Sequence, residues 1–261
     1  EPLHLRALAI RKEAFGTNHP DVAASLDNLA NLYSAQGVYD RAENLHLHAL
    51  AIREAVLGTK HPDIAYSLNN LATLYSVQGF HGKANRLLPR ALAILEATFG
   101  RNHPDVAASL DNLATLYSSQ GWFGRAHPLY RRALVLREAL GKNHPAVAYS
   151  LNNLATLYAN QGSYKRAEAL YARALALWKR TGGKSHPFFI DSLNKFARVR
   201  LAQHRLNEAL ALYSLALCCW APHPADRPSF SHLEGLLQEV GTPDLTRYTV
   251  PLPSILVHLS P

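Results

Sequence analysis

One phrase recurs along this chain at a nearly fixed spacing. The stem His-Pro-Asp-Val-Ala-x-Ser-Leu-x-Asn-Leu-Ala-x-Leu-Tyr-x-x-Gln-Gly starts, with small variations, at His19, His61, His103, His144 and His186, in steps of 42, 42, 41 and 42 residues. A period of this size marks a stack of one supersecondary unit. Each unit can bury its apolar face only against its neighbours, so the expected product is an elongated array with a long concave surface. Such a surface suits the holding of partners better than it suits chemistry.

Within the first repeat, Pro20 fits the first helical position, where its missing N–H costs nothing. Asp21 follows in the first turn, where a carboxylate meets the positive end of the helix dipole. Leu26, Leu29, Ala30 and Tyr33 recur at i, i+3, i+4 and i+7, one face of an amphipathic helix, and Gly37 is placed to end it. A second helix is predicted from Tyr39 through Ala42, His46, Ala49 and Ile52, stopped by Gly58. Two helices and two short turns fill the period. The stem histidines stand about one repeat apart, too far to share a metal ion, and are read as helix caps.

Small residues hold fixed registers. Ala30, Ala72, Ala114, Ala155 and Ala197 form one series, and Ala42, Ala84, Ala126, Ala167 and Ala209 another. Helix axes approach to ~8 Å only where the crossing side chains are small. The alanines are therefore core contacts, with Leu and Tyr filling around them.

Leu29-Ala30, Tyr33, Gly37, Tyr39, Ala42 and Ala49 match the signature spacing of the tetratricopeptide repeat, which the chain resembles over roughly residues 1–217. The longer period, with Leu-Asn-Asn-Leu-Ala-x-Leu-Tyr and Arg-Ala-Leu-Ala-Ile-Arg, is similar to the kinesin light chain and nephrocystin-like subclass. The resemblance implies an all-α fold, a right-handed superhelical solenoid of antiparallel helix pairs. The expected organisation is a half repeat at 1–16, then repeats at 19–58, 61–100, 103–141, 144–183 and 186–220. The one-residue deletion before His144 lies after Ala133, at a helix end. Repeat five is degenerate, with His204 at the turn glycine, Leu206 at the aromatic position and Arg200 where Tyr stood. Pro89 falls deep in a second helix and predicts a kink. Pro2 and Pro128 lie closer to their helix starts.

Residues 219–230 resemble the last stretch of a tyrosine-kinase C-lobe, but no Gly-rich loop, His-Arg-Asp or Asp-Phe-Gly accompanies them. Aligned on His223-Pro224, residues 223–241 can instead form a capping helix, with 242–261 an extended, proline-containing tail. The chain lacks methionine and starts with Glu1 inside a repeat, so a fragment of something longer is expected. There is no secretory signal and no apolar run of ~18 residues, and the adjacent Cys218 and Cys219 read as packing residues. A cytoplasmic setting is expected.

In tetratricopeptide arrays the first helices line the groove. By that resemblance the candidate peptide-binding residues are Asp27 and Asn31 in repeat one, Tyr66, Asn69 and Thr73 in repeat two, and Asp111 and Thr115 in repeat three. Tyr149, Asn152 and Thr156 follow in repeat four, and Asn194 and Arg198 in repeat five. Asn amides can pair with both peptide N–H and C=O, and Tyr adds amphipathic area. The second Asn of each stem (Asn28, Asn70, Asn112, Asn153) reads as an inter-repeat hydrogen bonder. Ala/Asp in repeats one and three alternates with Tyr/Asn in two and four, as if pairs of repeats had been duplicated.

The chain carries a net charge of +8, yet the first helices of repeats one to four contain no Lys or Arg. That distribution weighs against a nucleic-acid groove, which needs cations on the contacting face. It also withholds the acidic-peptide preference of kinesin light chains, except near Arg198. No P-loop, Rossmann glycine run, His-Glu-x-x-His or Gly-x-Ser-x-Gly occurs. The reading is a non-enzymatic scaffold that takes a protein or peptide ligand, with no metal, cofactor, small-molecule substrate or membrane span. One alternative is nucleic-acid or anionic-surface binding through the basic second helices. Another is a non-catalytic remnant fused to a kinase-like tail.

Overall fold

The first four stems open a helix in the same way. In the computed structural model of the chain, which describes residues 1–181 and 187–220, the side chains of His19, His61, His103 and His144 accept a hydrogen bond at 3.2 Å from the backbone N–H two residues on. Each His is an N-cap with Pro at the first helical position. This satisfies one of the amides that a helix start leaves unpaired.

Among the described residues the regular structure is eleven α-helices and no strand. They are α1 (Pro2–Phe15), α2 (Pro20–Ala35), α3 (Tyr39–Leu57), α4 (Pro62–Val77), α5 (His81–Phe99) and α6 (Pro104–Ser119). Then come α7 (Phe123–Glu138), α8 (Pro145–Asn160), α9 (Tyr164–Thr181), α10 (Pro187–Ala202) and α11 (Leu206–Trp220). The turn after α2 shows why Gly37 is glycine. Its φ is +77°, and it lets Val38 N–H reach Tyr33 O at 2.8 Å and Gly37 N–H reach Ser34 O at 3.0 Å. That pattern closes a helix on a left-handed residue. His204 adopts φ +59° at the equivalent turn of repeat five, a conformation that costs a non-glycine residue about 1 kcal/mol.

The chain divides into two compact units, residues 1–120 and, within the described part, 121–220. The division falls between α6 and α7. In the first unit α2 packs on α3 and α4 on α5, as hairpins, and the first helices also touch one another, α2 with α4 and α4 with α6. In the second unit α8 pairs with α9 and α10 with α11, and α8 touches α10. Both alanine series are fully buried throughout. Leu26, Leu29 and Tyr33 are buried with their copies Leu68, Leu71 and Tyr75.

α7 stops at Glu138, three residues short of the length of α3 and α5, which takes up the deletion after Ala133 while Ala126 and Ala133 stay buried. α5 runs through Pro89 as one helix, with the proline on its exposed side. His186, the Cys218 side chain, the expected capping helix at 223–241 and the tail at 242–261 lie outside the described residues.

Candidate functional site

The residue after the first stem Leu does not face a groove. Asp27, Asn69, Asp111 and Asn152 are all buried, which corrects the expectation that they meet solvent. The reason is helical register. Asp27 stands four residues after Ala23 and three before Ala30, both wholly buried, and so shares the core side of α2.

Its carboxylate is held by two side chains of α3. His46 Nδ1 lies 2.7 Å from one carboxylate oxygen, and Arg53 donates to the other as well as to the hydroxyl of Ser67 on α4. Asn69 accepts from Ser109 Oγ at 3.3 Å, and Asn152 donates to Asp191 at 3.3 Å. These are the bonds that tie one repeat to the next.

The second Asn of the stem behaves in the opposite way to the one expected. Asn28 is exposed, Asn70, Asn112 and Asn153 are half-buried, and none makes a side-chain hydrogen bond among the described residues. Asn28 lies four residues after Ala24 and three before Asn31, so it belongs to the accessible face. That face reads Ala24, Asn28 and Asn31 on α2, Tyr66, Asn70 and Thr73 on α4, and Ala108, Asn112 and Thr115 on α6. In the second unit the same registers hold Tyr149, Asn153, Thr156 and Asn160 on α8, then Asp191, Lys195 and Arg198 on α10. Counting from the buried Leu26 and Leu29 rather than from residue type would have found it.

The two tyrosines of the face differ. Tyr66 is 41% exposed. Its hydroxyl pKa is raised by burial and then by the carboxylates of Asp105 and Asp63. Tyr149 is packed edge-on against Phe188, with the Arg137 guanidinium 5.1 Å from its ring centre. The sequence treated them as equivalent, but the contact with Phe188 comes from the degenerate fifth repeat. Thr73 and Thr156 each donate to the carbonyl four residues back, at 2.9 Å. Asn194 is half-buried.

The second unit holds an open cleft of about 220 Å³. It is lined by Thr156 and Asn160 of α8, Tyr164 and Tyr171 of α9, and Lys195, Arg198 and Val199 of α10, among others. Burial raises the Tyr171 hydroxyl to about 12, against the lowering effect of its hydrogen bond with Thr156. Lys195 is bound to Asp191 at 2.7 Å, whereas Arg198 is exposed and makes no hydrogen bond or ion pair among the described residues. Several second-helix cations are matched by carboxylates, with Arg90 on Glu54 and Arg173 on Glu138 at 2.8 Å each.

Tetratricopeptide repeat models match residues 63–139 and 146–217, and a second model of the same repeat matches 1–21 and 22–63. The chain belongs to the tetratricopeptide repeat family. Its solved neighbours are kinesin-light-chain-like. A candidate kinesin light chain of Podosopora anserina with nearly identical repeats is 27% identical, with a TM-score of 0.60 over 77% of this chain and 96% of that one. BtubC (BKLC) of P. vanneervenii is 25% identical, with a TM-score of 0.67 over 87% and 94%. A thermophilic tetratricopeptide protein of Thermus thermophilus, 23% identical with a TM-score of 0.56 over 83% and 99%, shares the fold. Among curated proteins, the human non-receptor tyrosine-protein kinase TNK1 is 95% identical over 21 residues, 8% of this chain and 3% of that protein. Tetratricopeptide proteins are generally non-catalytic scaffolds for protein partners. No described helix is long and apolar enough to cross a membrane.

Proposed function

We propose that the accessible face of the first helices holds an extended peptide or disordered segment of a protein partner. The observation that carries this reading is the run of stem amides in the first unit, Asn28, Asn70 and Asn112, none committed to a side-chain hydrogen bond among the described residues. An Asn amide can donate to a peptide C=O and accept from its N–H at once, which suits main-chain capture. Tyr66 adds exposed aromatic area beside Asn70. In the second unit, the cleft at Lys195 and Arg198 suits an anionic side chain of a peptide held there.

A random peptide library displayed on phage, selected on the wild-type chain, tests this. Selected peptides should lose at least about tenfold in affinity on a Tyr66→Ala/Asn70→Ala chain, on the scale of a few lost polar and aromatic contacts. Peptides that bind the variant undiminished would place the site elsewhere. Affinity that also collapses with added salt toward poly-nucleotide competitors would favour the basic second helices instead.

A further inference from the structure

Tyr66 is an exposed ring that no cation covers. Tyr33, Tyr75 and Tyr158 each carry an Arg or Lys of this chain over the ring, at 5.6, 4.4 and 5.6 Å from its centre. Tyr149, the copy of Tyr66 in repeat four, carries Arg137 in the same way at 5.1 Å. The matching guanidinium before Tyr66 is Arg53, and it is turned instead to Asp27 and Ser67. Tyr66 makes no hydrogen bond or ring contact among the described residues. Two carboxylates flank it. Asp63 stands three residues earlier on the same side of α4, and Asp105 is its copy in the first turn of α6, which touches α4. After burial, these two are what raise the Tyr66 hydroxyl pKa, Asp105 more than Asp63. The cap nitrogens, His61 Nδ1 at 3.8 Å from Asp63 and His103 Nδ1 at 3.6 Å from Asp105, accept a backbone N–H and so hold no proton to share. No Lys or Arg reaches either carboxylate among the described residues. On a chain of net charge +8, the accessible charges of α4 and α6 are thus both negative.

We propose, resting on the peptide-binding reading above, that Tyr66, Asp63 and Asp105 form a subsite for an arginine side chain of the partner's bound segment. The guanidinium stacks on the phenol ring and aims its N–H groups at the carboxylates. Tyr149 shows that a ring in this register accepts a guanidinium. A planar fork of donors, weak hydration and ring stacking favour arginine over lysine. The segment held by the first unit is therefore basic. The chain's own residues 221–261 are the poorer source, with two arginines against four Asp and Glu.

The probes are the phage-selected peptides that lose affinity on the Tyr66→Ala/Asn70→Ala chain. They should share an arginine, and its replacement by lysine should weaken binding severalfold. Asp63→Asn/Asp105→Asn should stay folded, because both side chains reach solvent, and should lose about tenfold for the arginine peptide, on the scale of a charge-assisted pair. Asp63→Lys/Asp105→Lys should prefer the same peptide with glutamate in place of its arginine. Face-dependent peptides with no shared arginine, or an arginine peptide indifferent to both Asp variants, would overturn the proposal and leave peptide capture standing. Peptides that bind the Tyr66→Ala/Asn70→Ala chain undiminished would overturn both. Tighter peptide binding by an Arg227→Ala/Arg247→Ala chain would make the occupant the chain's own tail. Self-association abolished by Asp63→Asn/Asp105→Asn would make it a second copy, and either result would overturn the assignment to a partner.

Discussion

Arg53 of α3 and Asp27 of α2 are a matched buried pair, with the guanidinium donating to the carboxylate across the hairpin and on to Ser67 of the next repeat. The match extends through the sequence. The repeat that replaces Asp27 by Asn69 also replaces Arg53 by Leu95 and His46 by Leu88. The polar layer between repeats thus comes in a charged and an uncharged version. Each version is internally balanced, as a low-dielectric interior requires.

Breaking one half should therefore cost more than exchanging the whole. Arg53→Leu leaves the buried Asp27 carboxylate with only the His46 ring as its side-chain partner and should destabilise the first unit by about 3–5 kcal/mol. Adding Asp27→Asn and His46→Leu, which rebuilds the version seen at Asn69, should recover most of that loss. Urea unfolding of the single, double and triple variants measures the coupling. Additive losses would mean that the three side chains do not act together.

The fold was legible because its signals are local and repeated. Leu26, Leu29, Ala30 and Tyr33 point inward as their 3.6-residue spacing requires, and the stem His and Gly37 close the helix ends with bonds that need only neighbouring residues. The site was legible only in part, because the face turns on a one-residue choice. Asp27 and Asn28 are both polar and adjacent, and residue type alone favours neither. The wholly buried Ala23 and Ala30 assign Asp27 to the core. Tyr66 and Tyr149 look identical within their stems, and the difference arises from Phe188 on a neighbouring helix. No reading of single repeats contains that contact.

Tyr75 and Glu43 give a pH-dependent link between hairpins. The Tyr75 hydroxyl donates to the Glu43 carboxylate at 2.6 Å, and Lys83 lies 3.3 Å from the same oxygen. The Tyr75 bond is the largest influence on Glu43 and lowers its pKa below 4.5, against burial, which raises it. A depressed carboxyl pKa adds stability that is present above the unfolded value and is lost as pH falls through the folded value. Tyr75→Phe should raise the Glu43 pKa, with burial still raising it and Lys83 still lowering it, and should reduce this part of the acid sensitivity. Carboxyl carbon NMR titration of Glu43 reads the shift directly. An unchanged midpoint would show that Tyr75 does not hold the carboxylate.

Pro89 is a removable defect in α5. It sits at the ninth position of a nineteen-residue helix, where it supplies no N–H for the carbonyl four residues earlier, and its side chain is exposed. An interior proline costs up to about 3 kcal/mol relative to alanine. Pro89→Ala loses no buried contact and should raise stability by about 1–3 kcal/mol, read as a later urea midpoint. A destabilised variant would mean that the neighbouring helices pack against a bend that the proline provides.

Asn69 and Asn70 separate structure from binding within one dipeptide. Asn69 is buried and accepts from Ser109, so Asn69→Ala leaves that hydroxyl unpaired in the core and should cost about 1–3 kcal/mol. Asn70 has no side-chain partner to lose among the described residues, so Asn70→Ala should stay within about 0.5 kcal/mol of the wild type. Capture of selected peptides should show the reverse order at a temperature where both variants are folded, with Asn70→Ala the weaker binder and Asn69→Ala close to the wild type. If Asn69→Ala alone weakened capture while its fold stayed intact, the ligand would have to open the layer between repeats. The face drawn through Asn28, Asn70 and Asn112 would then be the wrong one.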